Sequence, residues 1–192
     1  MLAPSTRPIA TPDRSSQRLF FALWPSAADA ERIMAWVHQA HKAVGGRTMR
    51  VDTLHLTLAF LGSTPFDRVQ ALVQAAPLWS APVGPVTLRR FGRFAGPRVV
   101  WAGPGEEDSL SWLSHLHDDL WCRLQALGWQ RPDSPFRPHV SLLRKAGPGD
   151  LAALHRPSLA WMPEQCVLVA SQPTESGSTY QALARMPLQG LS

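Results

Sequence analysis

Leu54-His55-Leu56-Thr57-Leu58-Ala59-Phe60-Leu61-Gly62 is the stretch whose reading decides the fold. Side chains on a strand point to opposite faces in turn, so a strand here sets His55 and Thr57 on one face and Leu54, Leu56, Leu58 and Phe60 on the other. Pro138-His139-Val140-Ser141-Leu142-Leu143-Arg144 echoes it 84 positions later, with His139 and Ser141 opposite Val140 and Leu142. Each segment offers an imidazole and a hydroxyl about 6–7 Å apart along the strand, over an apolar underside that anchors it.

The flanking sequence supplies a sheet and helices to hold these strands. Arg18 to Trp24 is apolar on both alternating faces and stops at Pro25, as a strand inside a sheet does. Ser26 with Asp29 marks a helix start, and Ala30, Ile33, Met34, Val37, Ala40 and Val44 recur at helical spacing up to Gly45-Gly46. A short extended piece around 49–51 leads into the His55 strand. Thr64 is expected to cap a second helix that starts at Pro65 and ends before Pro77.

The stretch from Trp79 to Pro85, with Pro82 and Pro85, reads as the connection between halves. Val86 to Phe94 and Arg98 to Ala102 read as a hairpin. Leu110, Leu113, Leu116, Leu120, Leu124 and Leu127 form a helix stripe that Gly128 ends. After the His139 strand, a short helix is expected around Leu151 to His155, then a closing hairpin of 166–169 and 180–183 around a turn at 174–178. The sum is an α+β chain of two related, mainly antiparallel lobes, 18–80 and 86–188, preceded by a disordered leader over 1–17.

Composition bounds the partners. The 192 residues are 45% hydrophobic and 17% charged, which belongs to an ordered globular chain. The net charge of +5 is almost all arginine, with lysine only at Lys42 and Lys145. Arginine suits phosphate through its planar donor fork, although composition alone does not separate polyanion binding from a general arginine bias. Cys122 and Cys166 form neither a CxxC pair nor a regular spacing, so neither a disulfide framework nor a zinc site is expected. No apolar run reaches the 18 or more residues of a membrane span, and the expectation is a soluble, cytoplasmic monomer.

A bare His-x-Ser/Thr pattern is weak: 25 serines and threonines with 7 histidines in 192 residues give about one chance match, against two found. Context gives it weight, because both matches lie in alternating apolar segments at comparable places in the two halves. His55 to Gly62 and Arg137 to Arg144 together resemble the paired signatures of the two-histidine phosphoesterase superfamily. Arg18 to Leu23 and Val100-Trp101-Ala102-Gly103 are similar to its RNA 2',3'-cyclic phosphodiesterase branch, also called 2'-5' RNA ligase, and the likeness runs from about Arg18 to Leu188.

That resemblance implies a bilobal α+β fold with helices on the outer faces, strand exchange between lobes and the two motif strands facing a central cleft. It implies opening of a 2',3'-cyclic phosphate at an RNA end or on a nucleotide to leave a 2'-phosphate, without metal or other cofactor. By the family pattern His55 is the proton donor and His139 the acceptor, with Thr57 and Ser141 holding phosphate oxygens. Serine at 141 stands where the family more often has threonine.

Histidine suits both proton-transfer roles because its ordinary pKa of about 6.5 keeps each form available near neutral pH. Arg144 matches the basic residue that ends the second motif, but strict alternation turns it away from His139, so phosphate contact needs a bulge or the strand's end. Of the other histidines, His117 reads as helix packing and His38, His41 and His155 as solvated. Trp24, Trp101 and Trp121 read as core. A noncatalytic module for RNA ends or nucleotides, an enzyme for small cyclic nucleotides and an enzyme joining RNA through 2'-5' linkages stay open.

Overall fold

The computed structural model describes residues 16–190 apart from 109, 153, 156, 175 and 176. The first strand, β1 (Ser16–Leu23), starts earlier than expected because Ser16 and Gln17 pair with Pro65 and Thr64. Residues 1–15 of the expected leader lie outside the described residues. Helix α1 (Ala27–Val44) begins as the sequence dictates: the Ser26 hydroxyl accepts the Asp29 N–H at 3.2 Å, and the Asp29 carboxylate lies in the positively polarised first turn. Its apolar stripe Ala30, Ile33, Val37, Ala40 and Val44 is buried.

A two-residue strand, β2 (Arg47–Thr48), and a 3-10 turn at Val51–Thr53 lead to β3 (Leu56–Pro65). Because β3 stays paired with β1 through Pro65, Thr64 is still extended; its hydroxyl bonds the Gly62 carbonyl at 3.4 Å and does not cap. Helix α2 (Phe66–Ala75) therefore starts one residue later than expected, with Pro65 at its cap.

The expected strand over 86–94 is broken at Arg89. β4 (Ala81–Val83) and β5 (Val86–Leu88) lie outside the main sheet, while β6 (Arg90–Phe94) and β7 (Val99–Gly103) form the hairpin. Arg89 marks the break: its N–H bonds the Gly103 carbonyl at 2.8 Å and its guanidinium meets Asp108 at 3.2 Å. Helix α3 (Ser111–Ala126) follows, then β8 (Val140–Arg144), β9 (Leu159–Trp161), β10 (Cys166–Thr174), β11 (Gly177–Met186) and β12 (Leu188–Gly190). The described residues of 151–155 form only a bend and a turn, not the expected helix; so short a segment gains too few hydrogen bonds to nucleate one.

One large sheet orders the strands β11-β10-β1-β3-β8-β7-β6, with β2 also on β8, and every pairing in it is antiparallel. The hairpin β10–β11 comes last in the large sheet by sequence yet extends it beyond β1, on the first half's side. The long helices cross the other way: α1 packs over β8 and β6, where Trp36 meets Phe91 at 6.3 Å, and α3 packs over β3 and β4.

A single core joins all three helices to one sheet face, through Ile33, Leu72 and Leu116 on the helices and Phe21, Leu56 and Leu142 on the strands. The opposite face carries a smaller cluster, Phe20, Ala22, Val167 and Val169, with Trp24 and Tyr180 against it. Among the described residues no helix packs over this second face, and the histidines point to it. Among the described residues no helix is long and apolar enough to cross a membrane.

Candidate active site

His55 and His139 each stand one residue before a strand rather than inside it. Leu56 pairs with Val140 where β3 joins β8. Extending that antiparallel register by one residue sets His55 beside Ser141 and Thr57 beside His139, all four on the face away from the helices. Two halves of one site meet along a single seam.

Both imidazoles are held in the same way. Nδ1 of His55 lies 2.7 Å from the carbonyl of Thr53, and Nδ1 of His139 lies 2.7 Å from the carbonyl of Arg137. A carbonyl oxygen can only accept, so Nδ1 carries the hydrogen in each ring and Nε2 is left to exchange a proton with a ligand.

The motif strands also share a bulge. Phe21 pairs with Ala59 and Ala22 with Thr57, which leaves Leu58 over; Val100 pairs with Leu143 and Trp101 with Ser141, which leaves Leu142 over. Leu58 and Ala59 are consequently both buried, as are Leu142 and Leu143. The next residue of each strand swings back to the histidine face. Phe60 is one of these, contrary to its expected place beside Leu58; it pairs with Phe20 and is half exposed, with the Arg18 guanidinium 5.4 Å from its ring. Arg144 is the other, and the bulge supplies the geometry that strict alternation denied it.

Aromatic rings flank both histidines. Phe20 and Trp24 stack on His55 at 4.9 and 5.0 Å between centroids, and Tyr180 meets it edge-on at 5.4 Å. Phe94 meets His139 edge-on at 4.9 Å, and Trp101 lies 6.2 Å away. The Trp101 indole covers Gly92, where a Cβ would run into the ring. Trp121 is core as expected, but Trp24 and Trp101 are half-buried on the histidine face. β1 is apolar on both faces, so its sequence alone could not tell which face the helices cover.

A family model described as the 2'-5' RNA ligase superfamily matches residues 24–170, more than half of the chain. The chain belongs to the 2'-5' RNA ligase superfamily. It is 32% identical over 174 residues to a protein of Escherichia coli (strain K12) named RNA 2',3'-cyclic phosphodiesterase, across 90% of this chain and 97% of that one. It is 28% identical over 191 residues to a protein of the same name from Thermus thermophilus, across 90% and 91%. The crystal structure of Escherichia coli LigT complexed with 3'-AMP superposes with a TM-score of 0.77 at 31% identity, covering 91% of this chain and 99% of that one.

In this member of the superfamily, burial sets the charge of the site. It lowers the pKa of His55 to about 4 against the opposing pull of the Thr53 carbonyl, and the positive charges of Arg144 and His139 add to the effect. His139 is lowered by burial too, opposed by the Arg137 carbonyl and reinforced by Arg144. Both rings are therefore neutral at pH 7 when nothing is bound. Arg144 acts on both, which fits its place on the histidine face.

The remaining histidines play no part here. His117 is buried and stacked on Phe136 at 4.0 Å, with burial lowering its pKa, while His38, His41, His115 and His155 are exposed. Arg137 and Lys145 are exposed as well. Cys122 and Cys166 are both free thiols, the first exposed and the second buried, where burial pushes its pKa up to about 12. Among the described residues no group of three or more His, Cys, Asp or Glu could hold a metal ion. Sequence reasoning missed Phe20, Phe94 and Tyr180 around the rings; only Tyr180, the single tyrosine of the chain, stood out in composition.

Proposed function

We propose that this protein hydrolyses 2',3'-cyclic phosphates at RNA ends to 2'-phosphates, with His55 and His139 as the acid and base. The observation that carries this reading is the pair of Nδ1-anchored imidazoles, each beside a hydroxyl, on one sheet face. The names borne by the Escherichia coli and Thermus thermophilus relatives support the substrate.

The reaction needs water to attack phosphorus in line with the departing 3' oxygen. Nε2 of neutral His139 takes a proton from the water as its oxygen bonds to phosphorus. Protonated His55 gives its Nε2 proton to O3' as the P–O3' bond breaks. His139 ends protonated and His55 neutral, and exchange with solvent restores both. Each proton transfer of this kind contributes about 10²- to 10⁴-fold in rate.

Thr57 and Ser141 donate to the non-bridging oxygens, where charge gathers in the transition state, and the Arg144 guanidinium adds positive charge from the end of its strand. Every group in this scheme comes from one chain, so a monomer suffices.

The test is product analysis on an oligonucleotide with a 2',3'-cyclic end, in the presence of chelator. The expected product carries a 2'-phosphate. A 3'-phosphate would reverse the leaving group, and binding without turnover would make the protein a noncatalytic module.

A further inference from the structure

Arg47 of β2 pairs directly with Arg144 of β8. Residues opposite one another on antiparallel strands share a face, and like charges so placed destabilise the pairing. Among the described residues neither guanidinium makes an ion pair or a side-chain hydrogen bond. The approach is also close by construction. Gly46, at φ +94°, has no room for a Cβ, which would lie 2.9 Å from the Arg144 carbonyl and 2.8 Å from the Ala146 Cα.

Arg50 completes the group, turned by a two-pronged contact with Asp52 at 3.0 and 2.8 Å. Arg47, Arg50, Arg144 and Tyr180 line one small cleft, and Tyr180 in turn touches the His55 ring. A cationic cleft in which, among the described residues, Arg50 is paired with a carboxylate while Arg47 and Arg144 are not, one side chain from the reacting histidine, is suited to an anion.

We infer that Arg47 and Arg50, with the Tyr180 hydroxyl and beside Arg144, form a second phosphate subsite that takes the phosphate on the 5' oxygen of the terminal nucleotide. The choice of phosphate rests on the phosphodiesterase reading: a 2',3'-cyclic end is a 3' terminus, so any further phosphate lies on its 5' side. In RNA this group is the linking phosphodiester, and in a free nucleotide it is a terminal monoester. The subsite selects RNA ends and 5'-phosphorylated nucleotides over nucleoside cyclic phosphates that lack the second group.

Binding tests this without turnover, so it stands apart from the test of the reaction. Calorimetric titration compares adenosine 2'-phosphate, adenosine 2',5'-bisphosphate and a dinucleotide ending in a 2'-phosphate. The expected result is at least about 10-fold tighter binding of one or both ligands that carry the second phosphate, as for a charge-assisted contact. The two ligands separate the monoester from the diester. In Arg47→Gln and Arg50→Gln that advantage shrinks, and thermal unfolding of Arg47→Gln lies at or above the parent because a like-charge pair is gone. Equal affinity for all three ligands in the parent, or an undiminished advantage in both variants, would overturn the inference.

Discussion

His55 and His139 make the same hydrogen bond, each holding Nδ1 2.7 Å from the carbonyl two residues before it. The two rings thus leave the same nitrogen, Nε2, clear of the bond that holds them, and what distinguishes them is their surroundings. His55 lies among Phe20, Trp24 and Tyr180, and its pKa is lowered to about 4. His139 has Phe94 and Trp101 and is lowered as well.

Ligand binding should take up protons. A phosphate anion beside the rings favours their charged forms and raises both pKa values, so protons enter at pH 7 as the ligand binds. Calorimetry in buffers of different ionisation enthalpy measures this directly. The optimum of kcat/KM, which reports the free protein, should lie between about 4 and 6.5, with the optimum of kcat at higher pH. Coincident optima would contradict the depressed values.

Removing the Arg144 charge has two expected effects. Arg144→Gln should raise the pKa of both histidines, because its charge helps to hold them down. It should also lower kcat/KM by about 10- to 100-fold through the lost contact with phosphate. Imidazole titration by NMR and steady-state kinetics check the two separately.

Gly92→Ala should disturb His139 without touching it. The new methyl collides with the Trp101 indole, which must leave its place near His139. A loss of activity comparable to that of Trp101→Ala, with the fold intact by circular dichroism, is the expected outcome.

Much of this fold was legible because its signals are local. The Ser26 cap, the stripe of α1 and the leucines of α3 need only neighbours a turn away. The histidines and hydroxyls were legible as a repeated alternation. The bulges at Leu58 and Leu142 were not, since a bulge is a relation between two strands and leaves no mark in one. Phe60 was misplaced for that reason, and Arg144 could be set on the histidine face only on condition of a bulge or the strand's end. Arg47 lies in a strand of two residues, too short for any periodicity, and its partner is nearly a hundred positions away. The addition of β10 to β1 is likewise a long-range pairing that the order of elements does not specify.

Acid should destabilise the folded protein below pH 6.5. His55 and His117 have lowered pKa values when folded, so between those values and 6.5 the unfolded chain binds more protons. Stability therefore falls as pH drops from 6.5 towards about 4, the value for His55. His55→Phe keeps a ring against Phe20 and Trp24 and should flatten the fall. Urea unfolding at pH 7 and pH 5 measures it.

The central claim is that two imidazoles act on one phosphorus in one step. Single-turnover rates on a 2',3'-cyclic-ended RNA for His55→Ala, His139→Ala and the double variant test it most directly. Each single change should cost at least about 10²-fold, and the double variant should lose little more than the worse single, because the two groups work as a unit. Full activity in either single variant, or losses that simply multiply in the double, would contradict it.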